Sequence, residues 1–188
     1  TARATTMHLT RSEGSVAVAD GEGADVALAE QLGLYDGYQV NTRAASYAWI
    51  DLDSVKLTKM DADSEIGIHK DGKALEIQVR SGGLFFNVTE PLAEDESMDI
   101  RTSNMVVGIR GTCGWVKVEN ENHMWVYLLE GTVECSILDD EGKVLTSDTV
   151  SAGERAEMTR DENGECRITV GEYDRSELPD VVLPEAEA

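Results

Sequence analysis

Short runs in which apolar and polar residues alternate, each closed by a Gly, Asn or Asp turn, recur from near residue 7 to near residue 173. A period of two sends successive side chains to opposite faces of a strand, so the pattern restricts the chain to β structure with one face buried. Ala48, Ile50 and Leu52 share even positions, with Tyr47 and Trp49 between them. Asp71-Gly72 separates Ile66 and Ile68 from Leu75, Ile77 and Val79, which is a hairpin signal. Gly82-Gly83 leads into a strand over 84–88, and Pro91 ends it because proline cannot donate to a ladder. The strongest strand signals lie at 106–118 and 124–129, around an Asn-rich turn at 120–122. Residues 132–137 pair with 143–150 across Asp140-Glu141-Gly142, and 155–160 with 165–171 across Asn163-Gly164, a type I′ candidate. Residues 24–34 hold the only helix candidate, whose apolar positions fit period two as well as 3.6, and the acidic loop 94–99 shows no apolar period.

The fold class expected is all-β: a sandwich or jelly-roll-like double sheet of many short antiparallel strands. A short solenoid-like stack is the alternative. With 188 residues the chain has one domain's length and enough mass to bury a sizeable core. That domain is expected over 1–173. An acidic tail or linker follows at 174–188, where the period is lost and two of the three prolines fall.

Charge narrows the function. The chain carries 37 acidic and 16 basic side chains, a formal net charge of −21. Nucleic-acid affinity comes largely from Lys and Arg neutralising phosphates, so this chain is not expected to bind nucleic acid, and anionic headgroups are disfavoured for the same reason. No stretch approaches the roughly 20 apolar residues that span a bilayer. The chain begins at Thr1 without an initiator Met, and a membrane anchor or export signal is expected upstream.

No motif assembles catalytic chemistry. Cys113 and His123 are the only Cys/His pair close in sequence, and a thiol between Thr112 and Gly114 in a strand reads as packed. His8, His69 and His123 are isolated, without the convergence that transition-metal ligation needs. The acids at Asp51/Asp53, Asp61/Asp63, Asp139–Glu141 and Asp161–Asn163 match no calcium-loop pattern; solvated turn carboxylates are the default, with a low-affinity calcium site the minority reading. No cofactor is expected. Trp49, Trp115 and Trp125 each sit in an alternating segment, where packing across strands is the first reading and contact with a ligand the second. Gly108, Gly111 and Gly114, at three-residue intervals between strands, read as a bulge or a close approach of backbones.

Residues 102–118 (TSNMVVGIRGTCGWVKV) and 126–137 (VYLLEGTVECSI) resemble the FecR-domain family. The carrying positions are Thr102, Val106-Val107, Gly108, Arg110-Gly111-Thr112, Trp115-Val116 and the hydrophobic run into Gly131. LYDGYQVNT (34–42), ASYAWIDLD (45–53), LEIQVRSGGLFFNV (75–88) and SAGERA (151–156) agree in order and spacing, so the resemblance covers about residues 12–156. It implies a bacterial extracytoplasmic β domain, at the cell surface or in the periplasm, tethered by an upstream membrane span and serving signal transduction. The family's Thr102, Gly108, Arg110, Gly111, Thr112 and Gly131 are expected to be structural, and no catalytic residue is carried over. The function expected is a non-enzymatic sensing or scaffolding domain that binds another envelope protein. The alternative is a module for cell-surface polysaccharide, calcium-assisted, with Trp49, Trp115 and Trp125 in contact with the ligand.

Overall fold

The computed structural model describes residues 4–179. In chain order the strands are β1 Met7–Glu13, β2 Val16–Ala19, β3 Asp25–Val26, β4 Leu32–Leu34, β5 Gln39–Thr42 and β6 Tyr47–Asp53. Next come β7 Lys56–Met60, β8 Glu65–Asp71, β9 Ala74–Val88, β10 Ser97–Arg101, β11 Met105–Ile109 and β12 Cys113–Asn120. The last are β13 His123–Glu130, β14 Thr132–Leu138, β15 Val144–Ser151, β16 Glu154–Arg160 and β17 Cys166–Glu172. A 3-10 turn at Arg175–Glu177 is the only helical element among the described residues.

The strands form two layers. Sheet A has the order β4-β1-β6-β7-β9-β12-β13-β16-β17, and sheet B the order β3-β2-β5-β8-β9-β10-β11-β14-β15. All these pairings are antiparallel except β9 with β10. β9 belongs to both layers: residues 74–81 pair in sheet B and 82–88 in sheet A. The double sheet is therefore one continuous open sheet, folded over at β9 and not closed into a barrel. Sequence order advances steadily along both layers, from the β3/β4 end to the β15/β17 end.

The alternation read from the sequence becomes the core between the layers. In sheet A the inward row runs Ala48, Met60, Leu84, Val116, Val126, Ala156 and Val170 from strand to strand. In sheet B it runs Ile68, Ile77, Ile100, Val107 and Cys135. All but Val170 are sealed from solvent, and each aliphatic side chain so buried contributes about 1.5–3 kcal/mol.

The structure decides three segments that the sequence pattern left open or misread. Residues 24–34 form no helix: β3 and β4 occupy their ends, because a short apolar run that fits both periods is decided by tertiary pairing. The acidic loop 94–99 runs into β10, whose Met98 and Ile100 are buried while Asp99 between them faces out. Gly82-Gly83 does not end a strand either, since Gly82, at φ +94°, lets β9 cross from one layer to the other without a break.

Three hairpin turns repeat one device. Asp20, Asp139 and Asp161 each accept, through Oδ1, the amides two and four residues ahead, and a Gly three residues ahead donates to the Asp carbonyl. At 161–165 only Gly164 has positive φ (+78°), so the turn is type I with a left-handed glycine rather than the expected type I′.

The packed chain continues past β17. Asp174 caps the 3-10 turn, and Leu178, 4% exposed, lies on the outer face of sheet A. Residues 180–188, the rest of the expected tail, lie outside the described residues.

Candidate interaction surface

The outward positions of sheet A fall into a row fixed by register. From β1 to β16 it reads Arg11, Trp49, Lys59, Phe85, Trp115, Tyr127 and Arg155. Neighbouring strands lie about 4.8 Å apart, so cations and rings meet directly across the ladder. The Arg11 guanidinium is 4.4 Å from the Trp49 ring centre and Lys59 Nζ is 4.5 Å from it on the strand opposite. Arg155 lies 6.0 Å from the Tyr127 ring. One row over, Lys117 Nζ stands 5.0 Å from Trp125, which also stacks on His123 at 3.9 Å between ring centres. Cation–π contacts of this kind stabilise by about 0.5–2 kcal/mol, the more so when water is excluded. The acids nearby are engaged: Glu13 pairs with Arg11, and Glu119 and Glu157 flank the two nitrogens of His123 at 3.0 and 2.7 Å.

The three tryptophans singled out in the sequence thus share one face, but they differ. Trp49 and Trp125 are half-buried, whereas Trp115 is 3% exposed. The Trp115 ring lies over Gly83, where any Cβ would collide with it, and Phe85, Cys113 and Leu178 pack against it. It is a wall of a small second core and offers no face to solvent. Tyr173 closes that core, donating its hydroxyl to the Leu128 carbonyl at 2.8 Å and meeting Tyr127 edge to face.

The family-motif residues lie elsewhere: Thr102 in the β10–β11 turn, Gly108 within β11, Arg110, Gly111 and Thr112 between β11 and β12, and Gly131 between β13 and β14. The Thr102 hydroxyl donates to the Glu121 carbonyl at 2.9 Å and accepts the Met105 amide at 3.2 Å, tying β10 to the β12–β13 turn. Thr42 does the same at the other end of sheet B, donating to the Asp61 carbonyl at 2.6 Å and accepting the Ser64 amide at 3.0 Å. A Cβ at Gly111 would come within 3.1 Å of Pro91 Cα, and one at Gly131 (φ +82°) within 2.8 Å of the Thr112 methyl. Thr112 is buried, and its carbonyl accepts the Val88 amide at 2.8 Å.

Gly108 and Arg110 lie on the outer face of sheet B, along a shallow groove of about 470 Å³ with Glu96, Asp99 and Glu134. Asp99 is placed directly across from Glu76 in the parallel pair. Burial, then the Glu76 charge, push its carboxyl above the ordinary range, although Arg101 opposes them.

Neither thiol of the central strands is poised for chemistry. Burial, aided by Glu130, pushes the Cys113 thiol up to about 12; burial with Asp148 and Glu134 does the same for Cys135. Cys113 and His123 sit at opposite ends of the β12–β13 hairpin, roughly 20 Å apart at strand rise. Cys113, Cys135 and Cys166 are all free. No group of three His, Cys, Asp or Glu able to hold a metal occurs among the described residues. No described helix is long and apolar enough to cross a membrane.

The cations of the sheet A row are what sequence reading missed. Arg11, Lys59, Lys117 and Arg155 share the odd parity of Trp49, Phe85, Trp115 and Tyr127, but parity alone does not say which strands are neighbours.

The chain is thus an open double sheet, folded over one shared strand, with a threonine hydroxyl at each of two inter-layer ties, Thr42 and Thr102. The FecR family pattern, described as FecR protein, matches residues 38–134, and this chain belongs to that family of signal-transduction regulators. Two crystal structures of a candidate anti-sigma factor from Parabacteroides distasonis ATCC 8503, at 1.65 and 2.50 Å, share the fold. Their TM-scores are 0.59 and 0.58 at 18% identity, over 72% of this chain. This chain spans 60% of the length of those chains. No curated protein sequence matches it.

Proposed function

We propose that this is a non-enzymatic, extracytoplasmic sensing or scaffolding domain of a membrane-anchored envelope protein, working by protein–protein binding through the outer face of sheet A. The observation that carries the reading is the concentration there of Arg11, Lys117 and Arg155 beside aromatic rings, with Lys59 buried among them, in a chain of net charge −21. Tyr, Trp and Arg together are the residues on which binding energy concentrates in protein interfaces. In this reading Thr102, Gly111, Thr112 and Gly131 hold the crossover between layers, and Gly108 and Arg110 line the groove on the far side. The polysaccharide reading has less support, because the Trp115 ring is sealed and the Trp49 and Trp125 rings already face cations.

The test is photo-cross-linking from two exposed positions in an envelope preparation. Thr169 stands in the outward row of Lys117, Trp125 and Glu157, and Thr149 lies on the outer face of sheet B. A single protein adduct from Thr169 and none from Thr149 is expected. Adducts from Thr149 alone, or from neither, would overturn the reading.

A further inference from the structure

Residues 173–178 already lie across part of the sheet A outer face, and the way they are held describes what that face accepts. Leu178 packs against Phe85, Cys113 and Trp115. Glu177 meets Arg155 at 2.8 Å, and Tyr173 sets its edge against Tyr127. The turn is otherwise closed on itself: Asp174 accepts the Ser176 amide, and Glu177 accepts the Asp174 amide in return. From Asp174 to Leu178 no described backbone hydrogen bond joins the segment to the sheet. It is held by one aliphatic anchor and one carboxylate, a small set of contacts that a competing chain of the same chemistry can replace.

We propose that the outer face of sheet A is a docking surface for an acidic peptide with an aliphatic anchor, presented by the partner protein, and that residues 174–178 occupy it in the free chain. The inference rests on the protein-binding reading above and specifies the partner's chemistry. Leucine or a residue like it fills the site lined by Phe85, Cys113 and Trp115, and a carboxylate pairs with Arg155. Lys117 is exposed one row away and offers a second carboxylate a counter-charge. The net charge of −21 does not forbid an acidic ligand here. The Debye length is about 8 Å at physiological salt, so charges farther than that from Arg155 and Lys117 are largely screened there.

The experiment uses the full chain and a fluorescent synthetic peptide with the sequence of residues 172–179, read by anisotropy. The E177K/L178D chain releases the resident segment by setting a lysine against Arg155 and a charge in the apolar site. Peptide binding at least about tenfold tighter than to the unaltered chain is expected, a difference of about 1.4 kcal/mol. Adding R155E should remove the gain, and a peptide with lysine at each acidic position should not bind. A released chain with an unchanged β circular-dichroism spectrum that binds no better than the original would overturn the proposal, as would equal binding of the lysine peptide. If E177K/L178D loses its β spectrum, Leu178→Ala is the milder release, with a gain of about threefold expected and no gain overturning the proposal.

Cross-linking separates this inference from the functional reading. A Thr169 adduct that persists undiminished in R155E would overturn the peptide mode and leave protein binding standing. Peptide binding without any adduct would support the surface and overturn the reading that a partner uses it.

Discussion

On the outer face of sheet A, cations stand across the ladder from aromatic rings; on that of sheet B, carboxylates stand across from one another. Arg11, Trp49 and Lys59 are consecutive in the first row, and Glu76, Asp99, Gly108 and Glu134 in the second. The two faces belong to one folded-over sheet with one strand in common, so pairing geometry does not explain the difference. Side-chain chemistry does. A carboxylate beside a carboxylate must stay hydrated, whereas a guanidinium or ammonium over a ring tolerates loss of water. Sheet B therefore carries an acidic surface whose charges resist further loss of water, as the raised Asp99 carboxyl shows, and sheet A one that can be covered, as Leu178 shows.

The sharpest way to break this contrast is to dismantle the sheet A face from beneath. A side chain at Gly83 would occupy the space of the Trp115 ring. Gly83→Val should expel that ring and unseat Leu178, costing on the order of 3 kcal/mol. For a chain of this size that lowers Tm by roughly 6–12 °C. Calorimetry with tryptophan emission checks it: a fall in Tm with a red shift is expected, and an unshifted spectrum would refute the place given to Trp115.

A smaller effect comes from the ion cluster that ties the two layers together. Lys56 of β7 is buried and pairs with Asp53 and, at 3.0 Å, with Glu96 on the rim of the sheet B groove. Burial opposes the charge on Asp53, but hydrogen bonds from Lys56 and the Val55 amide outweigh it and hold that carboxyl below its ordinary value. A depressed folded value means the stabilisation is present above the unfolded carboxylate range and is lost as pH falls through the folded value. Lys56→Met should cost about 2 kcal/mol at pH 7, less than a fully buried pair because both acids are partly exposed. Urea titrations from pH 7 to pH 3 should show the gap between the two chains closing as pH falls. A constant gap would place the effect in packing alone.

What sequence could show of these two faces follows from what periodicity measures. Alternation reports which side chains of a strand go inward, so the cores at Ile50, Ile77, Val107 and Val126 were readable before any coordinates. Turn positions were readable at Asp140-Glu141-Gly142 and Asn163-Gly164, but turn type was not, because the bonds that set it come from Asp139 and Asp161 ahead of the residues that signal the turn. β10 was hidden because acids at Glu94, Asp95, Glu96 and Asp99 masked the alternation of Met98 and Ile100. The continuity of β9 was hidden because Gly82-Gly83 signals a turn, and only the register on both sides shows the strand passing through. The outer faces were least legible. Trp49 and Trp115 are 66 residues apart in sequence, and their shared row depends on pairings that no local pattern encodes.

The acidic face can be sharpened by removing one charge. Asp99, raised by burial and by Glu76, has a folded value above the unfolded one. Its stabilising protonated form is then fully present below the unfolded carboxylate range and lost as pH rises through the folded value. At pH 7 the charged form works against folding, and like charges directly across a ladder cost about 0.2–1 kcal/mol. Asp99→Asn should therefore raise stability at pH 7 by a few tenths of a kcal/mol to about 1, and the gain should vanish near pH 3. A gain that persists at low pH would mean that shape, not charge, sets the cost.

The smallest effect is the one that best separates the faces, because it makes a change of the same kind as the largest. Gly108 is the outward residue between Asp99 and Glu134, as Gly83 is the outward residue beneath Trp115. A Cβ at Gly108 would lie 3.7 Å from Asp99 Oδ1 and 3.9 Å from the Glu134 carbonyl, both ordinary van der Waals distances. Its backbone is not in the left-handed region, so alanine brings no strain there. Gly108→Ala should thus change stability by less than about 0.5 kcal/mol, with any gain coming from a less flexible unfolded chain. Measured beside Gly83→Ala in the same denaturant series, it asks whether a glycine in an outward row matters for the strand or for what lies over it. Equal losses at both positions would show that glycine is needed by the strand itself. A loss confined to Gly83 would show that it is the covered ring, and hence the docked face, that requires it.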